Sequence, residues 1–188
     1  CVPASVDPSS VAPGLVTLTV RGSGYQVGTT PAVRLASAST ESGFAAFYAQ
    51  RGASFGDINE AEAFLDNRVG ATRTLNITHA TVSRRTEGGG EIFPTTPFPS
   101  PWNSGDVSNL AARYTGYVHV PSPGTRTFGV NSDDGFRLRI NGAVVAEYPP
   151  PRGPAVTTGN YTFPAAGSYS IELTWYENGG GDIVQLFQ

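Results

Sequence analysis

Residues 113–145 read RYTGYVHVPSPGTRTFGVNSDDGFRLRINGAVV, and this run decides the fold. Val118, Val120, Phe128 and Val130 alternate with Tyr117, His119, Thr127, Gly129 and Asn131, the period of strands whose two faces meet different surroundings. Asn141-Gly142, set between Phe136-Arg137-Leu138-Arg139-Ile140 and Ala143-Val144-Val145, is the dipeptide of a tight hairpin. Between the strands lies Ser132-Asp133-Asp134-Gly135. Two adjacent acids therefore sit at a strand end, at the mouth of an all-β unit. Oxygen donors of this kind hold hard cations, and an exposed polyol can reach such a position.

Composition agrees with an all-β chain. There are 188 residues, enough for one domain with a good core plus a small appendage. Gly 23 and Pro 15 are high, which suits many turns and no long helix. Lysine is absent, and a net charge of −3 leaves no electrostatic footprint for nucleic acid or an anionic membrane. Arg84-Arg85 reads as a solvated turn, and Arg137 with Arg139 as a solvent-facing strand side. No apolar run is long enough for a transmembrane helix. The chain has no Met and opens on Cys1, its one cysteine, from which a processed product is expected. Cys1 reads as the lipid-anchored residue of a bacterial lipoprotein, as half of an intermolecular disulfide, or as a plain boundary. A secreted or surface location follows from the first two.

Two regions are expected. Residues 1–42 form an extension in which 1–14 read as linker and 15–20, Leu-Val-Thr-Leu-Thr-Val, as a strand. One or two strands cannot build a core of their own, so this strand should pair with the main sheet or with another copy of the chain. Residues 43–188 form the main domain. Asp57 with Glu60 has the form of a capping box, and Ile58, Ala61, Phe64 and Leu65 make one apolar stripe, so a short helix starts here. Further strands are predicted at 72–77, 80–84, 112–120, 161–163, 169–176 and 183–187. Residues 93–102 hold four prolines and read as an irregular loop.

Adjacent side chains of a regular strand point to opposite faces, so Asp133 and Asp134 converge on one ion only if the backbone is special. The same tetrapeptide also suits an ordinary turn. Glu177-Asn178-Gly179-Gly180-Gly181-Asp182 follows a Trp-Tyr strand end, and its glycines free backbone carbonyls to point inward, or else make a flexible hairpin tip. No nucleophile elbow, HExxH, P-loop or CxxC occurs, and His79 and His119 have no nucleophile motif beside them. Asp134 with Glu147 or Glu172 would be the pair to consider for glycoside hydrolysis, but no pattern nominates it. Trp175 alternates with Ile171 and Leu173 and belongs to the core. The sequons at Asn76 and Asn160 have meaning only in a glycosylating host.

The 115–145 run, the earlier Gly43-Phe44-Ala45-Ala46-Phe47-Tyr48 and the later 167–181 segment GSYSIELTWYENGGG occur in the order of the PA14 domain, which residues 43–187 resemble. Residues 1–40 are similar only to the start of a TIG, or Ig-like, repeat. The PA14 resemblance implies a β-sandwich with one short helix and, in its adhesin branch, a cis peptide between the two Asp residues. It further implies a Ca2+ site in which Asp133 and Asp134 give carboxylates, Asn178 its amide oxygen, and Gly180 and Asp182 main-chain oxygens. Two vicinal hydroxyls of a sugar would complete the shell, with Gly179 beside them. The yeast adhesin versions carry disulfides, which one cysteine cannot make, and an aromatic near the metal where this chain has Ile183. Trp102 and Tyr148 are the candidate stacking platforms in its place, or else hydrophobic cover over the ends of the sandwich. A calcium-dependent lectin or adhesin module at a microbial cell surface is the expected function, with a glycan as partner and no catalysis. A filament or surface-layer subunit joined through residues 15–20, and an accessory domain of a secreted glycan-active enzyme, are the alternatives.

Overall fold

The structure, a computed structural model, describes residues 5–7, 19–21, 43–105 and 107–188. The chain divides into two compact units, Cys1–Thr40 and Glu41–Gln188. In the first unit β1 (Ser5–Asp7) pairs antiparallel with β2 (Thr19–Arg21). A strand therefore lies inside the stretch expected as linker. The strand predicted over 15–20 is described only from Thr19, where its partner is β1. Residues 15–18 and Cys1 lie outside the described residues.

The second unit runs β3 (Phe44–Arg51), α1 (Ile58–Asn67), β4 (Ala71–His79), β5 (Ser83–Arg84), β6 (Leu110–Val120), β7 (Gly124–Asp133), β8 (Phe136–Ile140), β9 (Ala143–Tyr148), β10 (Ala155–Phe163), β11 (Gly167–Glu177) and β12 (Ile183–Phe187). A six-stranded sheet, β4-β3-β6-β11-β8-β9, faces a four-stranded one, β10-β7-β12-β5, and every pairing is antiparallel. This is the β-sandwich that the PA14 resemblance implies. Its core joins Tyr48, Tyr114, Leu138, Leu173 and Trp175 of the larger sheet with Phe128, Val130 and Val184 of the smaller. The strand expected at 80–84 shrinks to two residues, and the one expected at 161–163 extends back to Ala155.

The helix forms where its signals stand. Asp57 accepts the Glu60 N–H at 2.9 Å, and Ile58, Ala61, Phe64 and Leu65 are all buried. Glu60 reaches back to the Gly56 N–H (2.7 Å) rather than to that of Asp57. The buried stripe packs with Phe55, Ala49, Ala111 and Tyr176, each large apolar side chain contributing roughly 1.5–3 kcal/mol. Arg137 and Arg139 differ from expectation. They do not face open solvent: both pair with Glu62 of α1, and Arg137 also pairs with Glu147 (2.6 Å), so they clamp the helix to the sheet.

One end of the sandwich is special. After β7, which pairs with β12 in the smaller sheet, the chain steps through Asp133-Asp134-Gly135 into β8 of the larger one. After β11 it steps back through residues 178–182 into β12. Both crossings lie at the same end, because Asp133 is opposite Ile183 and Phe136 is opposite Trp175.

Candidate metal centre at the double crossover

The Asp133–Asp134 peptide is cis, as the resemblance implies. Its surroundings hold it closely. Trp175 Nε1 donates to the Asp133 carbonyl at 2.9 Å, and Ser132 Oγ donates to the Asp134 carbonyl at 2.7 Å. Asp134 N donates to the Tyr176 carbonyl, and Tyr176 N to that of Gly135, both at 3.1 Å. Gly135 cannot be replaced here, since a Cβ would come within 2.7 Å of the Tyr148 carbonyl and 2.8 Å of the Pro149 carbonyl.

The side chains gather into a buried acidic pocket. Carboxylate oxygens of Asp133, Asp134 and Glu177 lie within 4.8 Å of one another. Asp134 accepts the Arg152 N–H on one oxygen (3.0 Å) and the Asn178 N–H on the other (2.9 Å). Among the described residues no donor reaches the Asp133 carboxylate. Glu177, 0% exposed, accepts the Gly179 N–H at 2.6 Å on Oε1, while its Oε2 is buried with no hydrogen-bond partner. Asp182 is buried too, its carboxylate taking the N–H groups of Thr86 (2.5 Å) and Glu87 (3.2 Å).

Burial raises all four acids, because a charge removed from water favours its neutral form. Asp133 is pushed from 3.8 to about 7 by burial first and by Asp134 and Asp182 next. Glu177 is pushed from 4.5 to about 9, again by burial first, against the Gly179 N–H. Asp134 and Asp182 are raised by burial although two backbone N–H groups pull each of them down. An unpartnered buried carboxylate oxygen beside two more acids is costly unless a proton or a cation joins it. The donor set is oxygen only, which fits a hard ion such as Ca2+.

The sequence-predicted residues are distributed unevenly around this pocket. Asp133 and Asp134 form its floor. Asn178 reaches it through its backbone N–H, but its amide is used elsewhere. Oδ1 accepts the Phe55 N–H at 2.7 Å and Nδ2 donates to the Phe55 carbonyl at 3.0 Å, which ties the loop to the segment before α1. Gly179 and Gly180 have φ of 145° and 97°, backbone open to glycine. Asp182 spends its side chain on the turn after β5, as already described. Trp102 is not a platform at the site: it is 3% exposed, packs on Tyr48 with ring centroids 5.8 Å apart, and donates from Nε1 to Gln50. Tyr148 is on the rim, but the Arg152 guanidinium lies 4.5 Å from its ring centroid.

Sequence reasoning missed two residues. Glu177 continues the inward parity of Ile171, Leu173 and Trp175, and that parity was the signal for it. Arg152 holds Ser132 Oγ (2.9 Å), Thr157 Oγ1 (2.8 Å) and the Ala155 carbonyl (2.8 Å), fixing the loop whose N–H serves Asp134. A lone Arg after three prolines carries no such signal.

A two-sheet sandwich whose double crossover encloses an acidic pocket defines the class, and family comparison agrees with it. Residues 100–187 match the family model of the PA14 domain. No curated protein matches the chain. Among solved structures, the fold is similar to the PA14 domain of the MpAFP antifreeze protein, at 22% identity and a TM-score of 0.59, covering 86% of each chain. A PA14 sugar-binding domain from an RTX adhesin aligns at 21% identity and a TM-score of 0.54, over 78% of this chain and 89% of that one. The epithelial adhesin 9 A domain from Candida glabrata, in complex with Galb1-4GlcNAc, aligns at 14% identity and a TM-score of 0.54, over 78% of this chain and 80% of that one.

Proposed function

We propose that this domain is a calcium-dependent carbohydrate-binding module that acts at a cell surface. The observation that carries the reading is the buried trio of Asp133, Asp134 and Glu177 with its unpartnered Glu177 oxygen. The sugar-binding relatives of the same fold support the ligand class. Asp133, Asp134 and Glu177 would hold the ion, and the glycine backbone at 179–181 leaves room beside it. Bound calcium supplies positive charge and open coordination positions to which two vicinal sugar hydroxyls can be drawn.

The protein groups have separate tasks. Asp134 is oriented by the Arg152 and Asn178 N–H groups, so its carboxylate is positioned before any ligand arrives. Among the described residues no donor reaches the Asp133 carboxylate, which makes it the oxygen source least committed to the fold. Asn178 fixes the loop through Phe55 and acts at one remove. The reading is of binding rather than turnover, since these carboxylates converge on one point instead of facing each other across a groove. Among the described residues no helix is long and apolar enough to cross a membrane, which accords with a secreted or surface module.

Thermal unfolding with calcium and with EDTA tests this reading on wild type and Asp133→Asn. Calcium at about 100 times its dissociation constant should add about 2.7 kcal/mol, a shift of several degrees. The shift should vanish in Asp133→Asn, whose EDTA midpoint should match wild type because no protein donor is orphaned. Equal midpoints with calcium and with EDTA in wild type would overturn the metal assignment.

A further inference from the structure

The outer face of the six-stranded sheet carries a second feature that the crossover site does not use. A groove of about 460 Å³ runs across β4, β3 and β6 beside the C-terminal end of α1. Its charged lining consists of Arg68 and Arg113, with no carboxylate, and Asn76, Thr78 and Thr115 add amide and hydroxyl groups. Arg113 pairs with Asp66 at 2.7 Å, an acid 66% exposed in its side chain, and its Nε lies 3.9 Å from Glu172, so Arg68 is the cation the groove leaves for a ligand. Among the described residues no carboxylate pairs with Arg68, and its guanidinium rests 4.6 Å from the centroid of Phe47.

Arg68 also occupies an unusual position. It is the C-cap of α1, at φ 60° in the left-handed region, where glycine is the usual residue. The backbone gains nothing from arginine there, so the reason to have it lies in the side chain. Thr115 lines both this groove and a second one of about 390 Å³, bounded by Tyr117, Arg139, Ser170 and Glu172. Tyr117 is 76% exposed, an aromatic ring standing at the mouth of a hydroxyl-lined channel.

We propose that this face binds an acidic oligosaccharide, with its carboxylate or sulfate on Arg68 and a neighbouring pyranose against Tyr117. Charge complementarity selects the anion, because guanidinium forks match planar and tetrahedral oxyanions with paired hydrogen bonds. The flat ring and the row of Thr115 and Ser170 hydroxyls select a sugar over a bare ion, offering one apolar face and several polar partners. Binding here needs no calcium and none of the crossover residues.

The test is equilibrium binding in EDTA of three probes: an oligogalacturonate, a sulfated oligosaccharide and a neutral galactose oligomer. Wild type, Arg68→Asn, Tyr117→Ala and Asp133→Asn are compared, with inorganic sulfate and a polyglutamate as controls. Asn tolerates the left-handed backbone, and unchanged unfolding midpoints show that each variant is folded. Wild type should bind one of the acidic probes and not the neutral one. Arg68→Asn should weaken it roughly tenfold and raised salt should weaken it further. Tyr117→Ala should also weaken it, and Asp133→Asn should leave it unchanged. Uronate against sulfate preference then identifies the anion. No acidic probe bound, equal affinity for polyglutamate, or full affinity in Arg68→Asn would each overturn the proposal.

Discussion

At the residue scale the centre is governed by what a carboxylate does when it is buried. Glu177 stands near 9 without a cation, so at neutral pH it is largely protonated, and Asp133 near 7 is half so. Calcium needs the ionised forms and must displace those protons. Calcium affinity should therefore rise with pH through the window from about 7 to about 9, with proton release visible as a buffer-dependent heat in calorimetry. An affinity flat across this window would contradict the buried trio. Glu177→Gln mimics the neutral acid, so its midpoint in EDTA at neutral pH should stay near that of wild type while calcium binding weakens about tenfold or more. Legibility differs among these residues. Asp133 and Asp134 were readable because they lie at a strand end inside the run that resembles the PA14 domain. Asn178 was assigned to the ion by that same resemblance, yet the Phe55 backbone, 123 residues away in sequence, takes its amide. No local pattern announces a contact of that range.

At the scale of elements, two crossings and one turn build the site. Gly88, at φ 82° in the turn after β5, packs so closely on the crossing loop that a Cβ would lie 2.7 Å from Gly181 Cα. Gly88→Ala should push that loop aside and lower calcium affinity, as well as cost stability through its left-handed backbone. Asp57→Ala is the matched control. It removes the helix N-cap for about 1 kcal/mol and should leave calcium binding unchanged, because the Asp57 carboxylate bonds Glu60 and Asn59 of α1. Chemical denaturation of both variants, each followed by calcium titration, separates the two effects. The helix was legible to the residue because cap and stripe are local. β10 was not: its first half, 155–160, alternates between exposed and half-exposed residues and so lacks an apolar period. Gly159 in that strand is a packing glycine, since a Cβ there would meet the Val145 carbonyl at 1.8 Å. The Pro-rich loop turns inward and delivers the Trp102 ring to the core, which agrees with its reading as hydrophobic cover and not as a platform.

At the scale of the whole molecule, the two proposed ligand surfaces lie apart, one at the double crossover and one on the outer face of the larger sheet. The all-β class was readable because strand alternation recurs in β6, β7 and β11, and the sandwich was readable from the PA14 resemblance. The pairing of β1 with β2 was not, since residues 5–7 have no periodic surroundings. Weak single-site affinity is the ordinary condition for such a module, so display of several copies should matter for retention on a surface. The most direct measurement is retention of the protein on immobilised neutral glycans with vicinal hydroxyls, run with calcium, with EDTA, and with calcium after EDTA. Retention that appears with calcium, is lost in EDTA, returns on re-addition and is absent in Asp133→Asn is the predicted result. Retention that is indifferent to calcium, or that survives Asp133→Asn, would contradict a calcium-bridged glycan site at the crossover.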